Sequence, residues 1–212
     1  MIIIPITFLL IILSQEIVDV IYGSTYTSAP MFLATYCLLY FLVGIGYLVL
    51  PSLYNGLGQT KTTLKMSLIT FLILAVLSPI FAKTYGVQGL IIAFLTASTA
   101  GTTYGLYIAR KAFKIELDIQ EQLKIYLSSA LSSIPPFLIL HFTQLPKLLD
   151  IAIGGFLYLF TYTTLSPLTK TVTLSEVRKI ALITQKIQFL AVIAKPILAY
   201  QGMLLQNKET KT

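Results

Sequence analysis

Charge is missing from long stretches of this chain. Between Asp19 and Lys61 lie 41 residues without an acidic or basic side chain, 17 more separate Lys65 from Lys83, and 26 separate Lys83 from Arg110. About 20 apolar residues in a helix cross the ~30 Å hydrocarbon core of a bilayer, so these runs predict membrane helices. They are read as Ile2 to Ile21, Pro30 to Gly56, Met66 to Ala82, and a fourth from the turn at Tyr85 to Gly89 through to Arg110. Two further spans follow, Ile125 to about Thr143 and Ile151 to Leu168, joined by a hairpin at Pro146-Lys147.

The second run organises the others. At ~1.5 Å per residue it is about 40 Å long, with Ser28 placed to cap it and Pro30 in its first turn, where a missing N–H costs nothing. Pro51 is expected to bend its last turns, while Gly56 and Gly58 allow a left-handed reversal toward Lys61 and Lys65. In the fifth span Pro135-Pro136 forces a kink or a break. The fourth span carries Gly89, Ala93, Ala97, Gly101, Gly105 and Ala109 at every fourth residue. Small residues at that spacing let a neighbouring helix approach closely, so this stripe reads as a packing face.

Composition agrees with a membrane protein: 56% of the 212 residues are hydrophobic, 11% are charged and the mean hydropathy is +0.84. The net charge of +7 comes from basic residues flanking apolar runs, so membrane lipids rather than nucleic acid are the expected partner. Placing both termini in the cytoplasm of a plasma-membrane protein puts thirteen basic residues inside and only Lys83 and Lys147 outside, as the positive-inside bias requires. The expected organisation is a four-helix membrane segment over 1–110, a cytoplasmic loop over 111–124, a helix pair over 125–168 and a basic tail over 169–212. That tail reads as an interfacial helix, with Ser175 as its cap. The fold class is therefore all-α: a polytopic bundle of about six membrane helices plus an interfacial one.

Catalytic chemistry has little to work with. The single cysteine, Cys37, excludes an internal disulfide and reads as a small buried apolar residue, and His141 sits near a span end without a second histidine. No nucleophile set, phosphate loop or ligand cluster is present, so neither an enzyme nor a metal or other cofactor is expected. Glu16 and Asp19 fall at the end of the first span, where a solvated or packing role is expected.

Three pieces occur in order: Tyr22-Gly23-Ser24-Thr25-Tyr26, the long helix closed by Asn55-Gly56-Leu57-Gly58-Gln59-Thr60-Lys61, and Tyr85-Gly86-Val87-Gln88-Gly89-Leu90. With them the chain resembles the polysaccharide-biosynthesis, O-antigen-flippase-like branch of the multidrug/oligosaccharidyl-lipid/polysaccharide exporter superfamily, over roughly Ile2 to Arg110. The resemblance implies two pseudo-symmetric helical lobes around a cavity, alternating between inward-open and outward-open states to carry a lipid-linked oligosaccharide. Only the last six helices of that architecture are recognisable, so the expectation is the C-terminal part of a flippase, incomplete alone and partnered by a separate N-terminal lobe or another membrane protein. Lys61, Lys65 and Arg110 would attract a headgroup at the cytoplasmic mouth, and Gly23, Pro51, Gly56, Gly58 and Gly86 would serve as turns or hinges. Two other readings stand beside it: a multidrug or cation antiporter of the same superfamily, and a membrane interaction or remnant protein without transport.

Overall fold

The computed structural model describes residues 2–115, 118–142, 145–169, 171–172, 199–201 and 203. Among them there are helices, turns and no strands, and the chain divides into two compact units, Met1–Ile119 and Gln120–Thr212. The interfacial helix expected over 174–206, with its Ser175 cap, lies almost wholly outside the described residues.

In the first unit the opening span is not one straight helix. α1 (Ile3–Ile12) and α2 (Ser14–Tyr22) meet at 68°, with Leu13 leaving the helical region at φ −87 and ψ 8. No proline causes the break. It lets both α1 and α2 pack on α3 while α1 also reaches the segment after it, so tertiary packing has overridden a continuous apolar run.

The second span is broken as well. α3 (Ala29–Cys37) continues as a 3-10 helix, Leu38–Ile45, then turns at Gly46 into α4 (Val49–Gly56), bent by 47°. The bend falls at Gly46 and not at Pro51. Gly46 has φ +95, a left-handed conformation that favours glycine, whereas Pro51 is the third residue of α4, where the absent N–H would have had no helical partner. Ser28 occupies the cap position of α3 without a side-chain capping hydrogen bond, and Pro30 lies in the first turn.

α5 runs from Thr60 to Phe113 and is two antiparallel limbs, 60–85 and 87–113, folded at Gly86 (φ 58, ψ −136). A straight helix would hold Met66 and Gly105 about 58 Å apart. Instead, a Cβ built on Gly105 would lie 2.5 Å from Met66 Cε, and one on Gly101 would meet the Thr70 hydroxyl. Each limb is about 39 Å long, enough to cross the hydrocarbon core. The outer face of the first limb presents Leu64, Leu68, Phe71, Leu72, Val76 and Ile80, all exposed, as a lipid-facing surface does.

In the second unit α6 (Ile119–Ser132) breaks at Ser133 and continues as α7 (Ile134–Phe142), with Pro135 and Pro136 in the new first turn. α6 begins at Ile119, six residues before the expected Ile125, and α8 (Lys147–Leu168) starts at Lys147 with Pro146 at its cap position. α7 packs on α8. Hydroxyls line the seam between α6 and α8: Ser128 Oγ lies 2.8 Å from Thr169 Oγ1, and Thr161 donates to the Ser132 carbonyl at 3.0 Å. Tyr158, wholly buried, donates to the Ser129 carbonyl at 3.3 Å.

Among the described residues three helices are long and apolar enough to cross a membrane, and five crossings result when each bent pair counts as one. Counting the two limbs of α5 separately gives a sixth. The protein is an all-α membrane bundle.

Candidate functional site

The small-residue stripe decides where the site can form. Gly89, Ala93, Ala97, Gly101, Gly105 and Ala109 are all buried on the second limb of α5, while Leu90, Ile92 and Tyr107 on the same limb are exposed. A limb with no side-chain bulk on one face lets the first limb and α4 come close. Met66 fills the notch beside Gly105, and with Leu50, Tyr54 and Ala109 it forms a buried apolar cluster. Tyr54 is wholly buried and its hydroxyl donates to the Gly105 carbonyl at 2.7 Å.

Above this cluster the packing opens into a cavity of about 220 Å³. The broken second span contributes Tyr47, from the turn at Gly46, and Pro51, from the first turn of α4. The first limb contributes Met66, Ser67 and Thr70; the second contributes Phe94, Ser98, Gly101 and Thr102. Five of these nine residues carry a hydroxyl and none carries a charge. Thr70 donates to the Met66 carbonyl at 3.1 Å, an internal bond that leaves its lone pairs free to accept. Such a lining suits a neutral, polyhydroxylated group or bound water, since an ion would find no countercharge on the wall.

Charge lies beside the cavity. The contacts of Met66 with Gly105 and of Thr70 with Gly101 fix the register of the two limbs, and that register sets residue 61 level with residue 110. Lys61, Lys65 and Arg110 therefore gather at the open end of the hairpin, all exposed, with Lys83 near its closed end. Arg110 is about 12 Å along the helix from Thr102.

The remaining expected turn residues are placed as follows. Gly23 and Gly58 have positive φ at the ends of α2 and α4, and Gly56 is the last helical residue of α4. Gly46 is the hinge that sequence reasoning missed. Its signal was the pair Gly44 and Gly46 in an otherwise apolar run, overshadowed by Pro51. Cys37 is buried, and His141 is exposed, stacked on Phe137 with ring centroids 6.2 Å apart. No group of three His, Cys, Asp or Glu side chains gathers among the described residues.

An apolar bundle of broken and paired helices around an uncharged, hydroxyl-lined cavity defines an integral-membrane protein of the carrier kind. The chain belongs to the family described as lipid II flippase MurJ, whose model matches residues 1–194. That family lies within the exporter superfamily that the Tyr22, Gly58 and Tyr85 motifs indicated, and its members are transporters rather than catalysts. The class of cargo, a lipid-linked precursor, agrees with expectation; a surface polysaccharide in particular does not follow from it. Neither the curated proteins nor the solved structures give a match to this chain.

Proposed function

We propose that this chain is the cavity-forming part of a plasma-membrane flippase for a lipid-linked glycan precursor of the lipid II class, working by alternating access. The observation that carries the reading is the hydroxyl-lined cavity between the second span and the α5 hairpin, with the basic cluster at the open end of the same hairpin. Sugar hydroxyls would exchange hydrogen bonds with Tyr47, Ser67, Thr70, Ser98 and Thr102, while the diphosphate of the carrier lipid meets Lys61, Lys65 and Arg110 at the cytoplasmic mouth. Both termini then face the cytoplasm, and a second lobe closes the far wall of the path.

Alternating access needs elements with two packings of similar energy, and broken helices at a cavity are the usual source. Here the bends at Leu13 and Gly46 supply them. Thr70→Val/Ser98→Ala tests the reading, because it removes two of the cavity hydroxyls without adding bulk or touching a charge. Cells relying on this protein should accumulate unflipped lipid-linked precursor on the inner leaflet; unchanged precursor pools with normal protein levels would sink the proposal.

A further inference from the structure

The hydroxyls on the second limb of α5 are of two kinds. Thr96, Thr99 and Thr103 are exposed, and each donates to the carbonyl four residues earlier, at 2.9, 2.8 and 2.7 Å. A helical hydroxyl in apolar surroundings is ordinarily satisfied in that way. Ser98 and Thr102 are only 3% and 2% exposed, yet among the described residues neither bonds to its own helix. Ser98 meets the Tyr47 hydroxyl instead, and all three residues line the cavity. Buried hydroxyls held back from the backbone keep their hydrogen-bonding capacity for whatever enters.

Phe94 stands one turn before Ser98 in the same wall. Tyr36 of α3 stacks on it, with ring planes 5° apart and centroids separated by 6.2 Å, so the Phe94 ring is held in place at the cavity. An aromatic face is electron-rich and attracts the weakly positive C–H groups on the flat side of a sugar ring. A wall that pairs an aromatic ring with free hydroxyls, and holds no charge, complements a pyranose: C–H on the face, O–H at the rim.

The walls also limit how much sugar enters. The cavity of about 220 Å³ has room for about seven waters, and it is smaller than the ~300–1,000 Å³ sites that enclose drug-sized ligands. One ring with its hydroxyls is accommodated, and two linked rings are not. Thr102 lies about 12 Å along the helix from Arg110, and the Arg110 side chain closes part of that gap. With a diphosphate at Lys61, Lys65 and Arg110, the ring that reaches Thr102 is the one bonded to the diphosphate.

We propose that the cavity is a subsite for a single sugar ring, the one bonded to the diphosphate of the carrier lipid, with Phe94 stacking on its C–H face and Ser98 and Thr102 reading its hydroxyls. This rests on the flippase reading above and makes it specific: the protein selects its cargo by the first sugar and leaves the rest of the glycan outside these walls.

The test is equilibrium binding to the full chain in nanodiscs of neutral lipid, with a polyprenyl diphosphate carrying no sugar, one N-acetylhexosamine or a disaccharide. The first ring should tighten binding by about tenfold or more, the scale of one or two buried hydrogen bonds, and the second by less than about twofold. Phe94→Leu and Thr102→Val should each erase most of the first-ring gain and leave the affinity for the sugar-free lipid unchanged, which also shows that the variants are folded. Equal gains from both rings, no gain from the first, or a first-ring gain that survives either substitution overturns the proposal. The wild-type series alone decides the first two of these outcomes. A first-ring gain together with unchanged precursor pools in Thr70→Val/Ser98→Ala cells would remove the flippase reading and keep the subsite; disturbed pools without ring discrimination would do the reverse.

Discussion

The Tyr54 hydroxyl and the Gly105 carbonyl lie 2.7 Å apart, fully buried, across 51 residues of sequence. This hydrogen bond ties the short helix after the Gly46 turn to the second limb of the hairpin, below the cavity floor. Removing the hydroxyl with Tyr54→Phe keeps the ring in place and leaves the carbonyl its helical partner. The expected loss is about 0.5–1.5 kcal/mol, toward the lower end in a membrane protein. Tyr54→Ala also empties the site of a wholly buried ring, at about 3–5 kcal/mol. Thermal unfolding of the purified protein should rank them in that order. Equal losses would mean that the hydroxyl, rather than the ring, carries the contact.

Gly101 and Gly105 differ in what a methyl group would strike. At Gly101 a Cβ meets the Thr70 hydroxyl and lies 2.9 Å from the Met66 carbonyl oxygen, which is backbone and cannot move aside. At Gly105 it meets the end of the Met66 side chain, Cε at 2.5 Å and Sδ at 2.6 Å, which is flexible. Gly101→Ala should therefore separate the limbs and destabilise by about 1–3 kcal/mol, with Gly105→Ala milder. Met66→Ala should relieve Gly105→Ala in a double-mutant cycle, with a coupling of about 0.5 kcal/mol or more, and leave Gly101→Ala unrelieved. Additive effects at Met66 and Gly105 would contradict the notch.

Gly86 tests the hairpin itself. Nothing lies within 4 Å of a Cβ built there, so Gly86→Ala adds no clash, only an L-residue forced to φ 58 and ψ −136. That conformation costs about 1–3 kcal/mol outside glycine, and an alanine at this position favours continuing the helix. Reduced insertion of the second limb is expected, read by the accessibility of cysteines placed singly at Lys83 and Lys111 in a Cys37→Ser background. Unchanged accessibility at both would mean that the reversal is set by packing along the limbs and not by the turn.

The apolar runs, the stripe from Gly89 to Ala109 and the double proline at Pro135 were legible because each is a local pattern with a direct physical meaning. The stripe could be read as a packing face from spacing alone, and all six of its residues are buried. The bends at Leu13 and Gly46 were not legible. Leu13 carries no breaker at all, and the break exists because α1 and α2 both gain contact with α3, a relationship no window of sequence contains. Pro51 is a strong breaker in general, yet in the first turn of a new helix it breaks nothing, so the helix start at Val49 had to be known first. The choice between a solvated and a packing role for Glu16 was open for the same reason, since its burial follows from the unseen bend. The cavity hydroxyls come from three separate stretches, and Thr70 and Ser98 look like ordinary helix-backbone donors until the hairpin register brings them together.

Lys61, Lys65 and Arg110 have two possible duties, setting topology and attracting a phosphate-bearing headgroup, and these separate by salt. All three are exposed at the open end of the hairpin, so their removal should barely change folding stability. Each basic residue near an anionic surface contributes about 1 kcal/mol at low ionic strength, falling off over a Debye length of about 8 Å at 0.15 M salt. If the cluster engages a diphosphate, Lys61→Gln/Lys65→Gln/Arg110→Gln should weaken binding of a lipid-linked precursor by about tenfold or more at 50 mM salt, and by much less at 500 mM. Binding to the same lipid without its diphosphate should not change. Microscale binding in nanodiscs of neutral lipid measures all three quantities. A triple variant that binds normally at low salt but inserts in mixed orientations would assign these residues to topology alone, and the cytoplasmic mouth would have to be sought among other side chains.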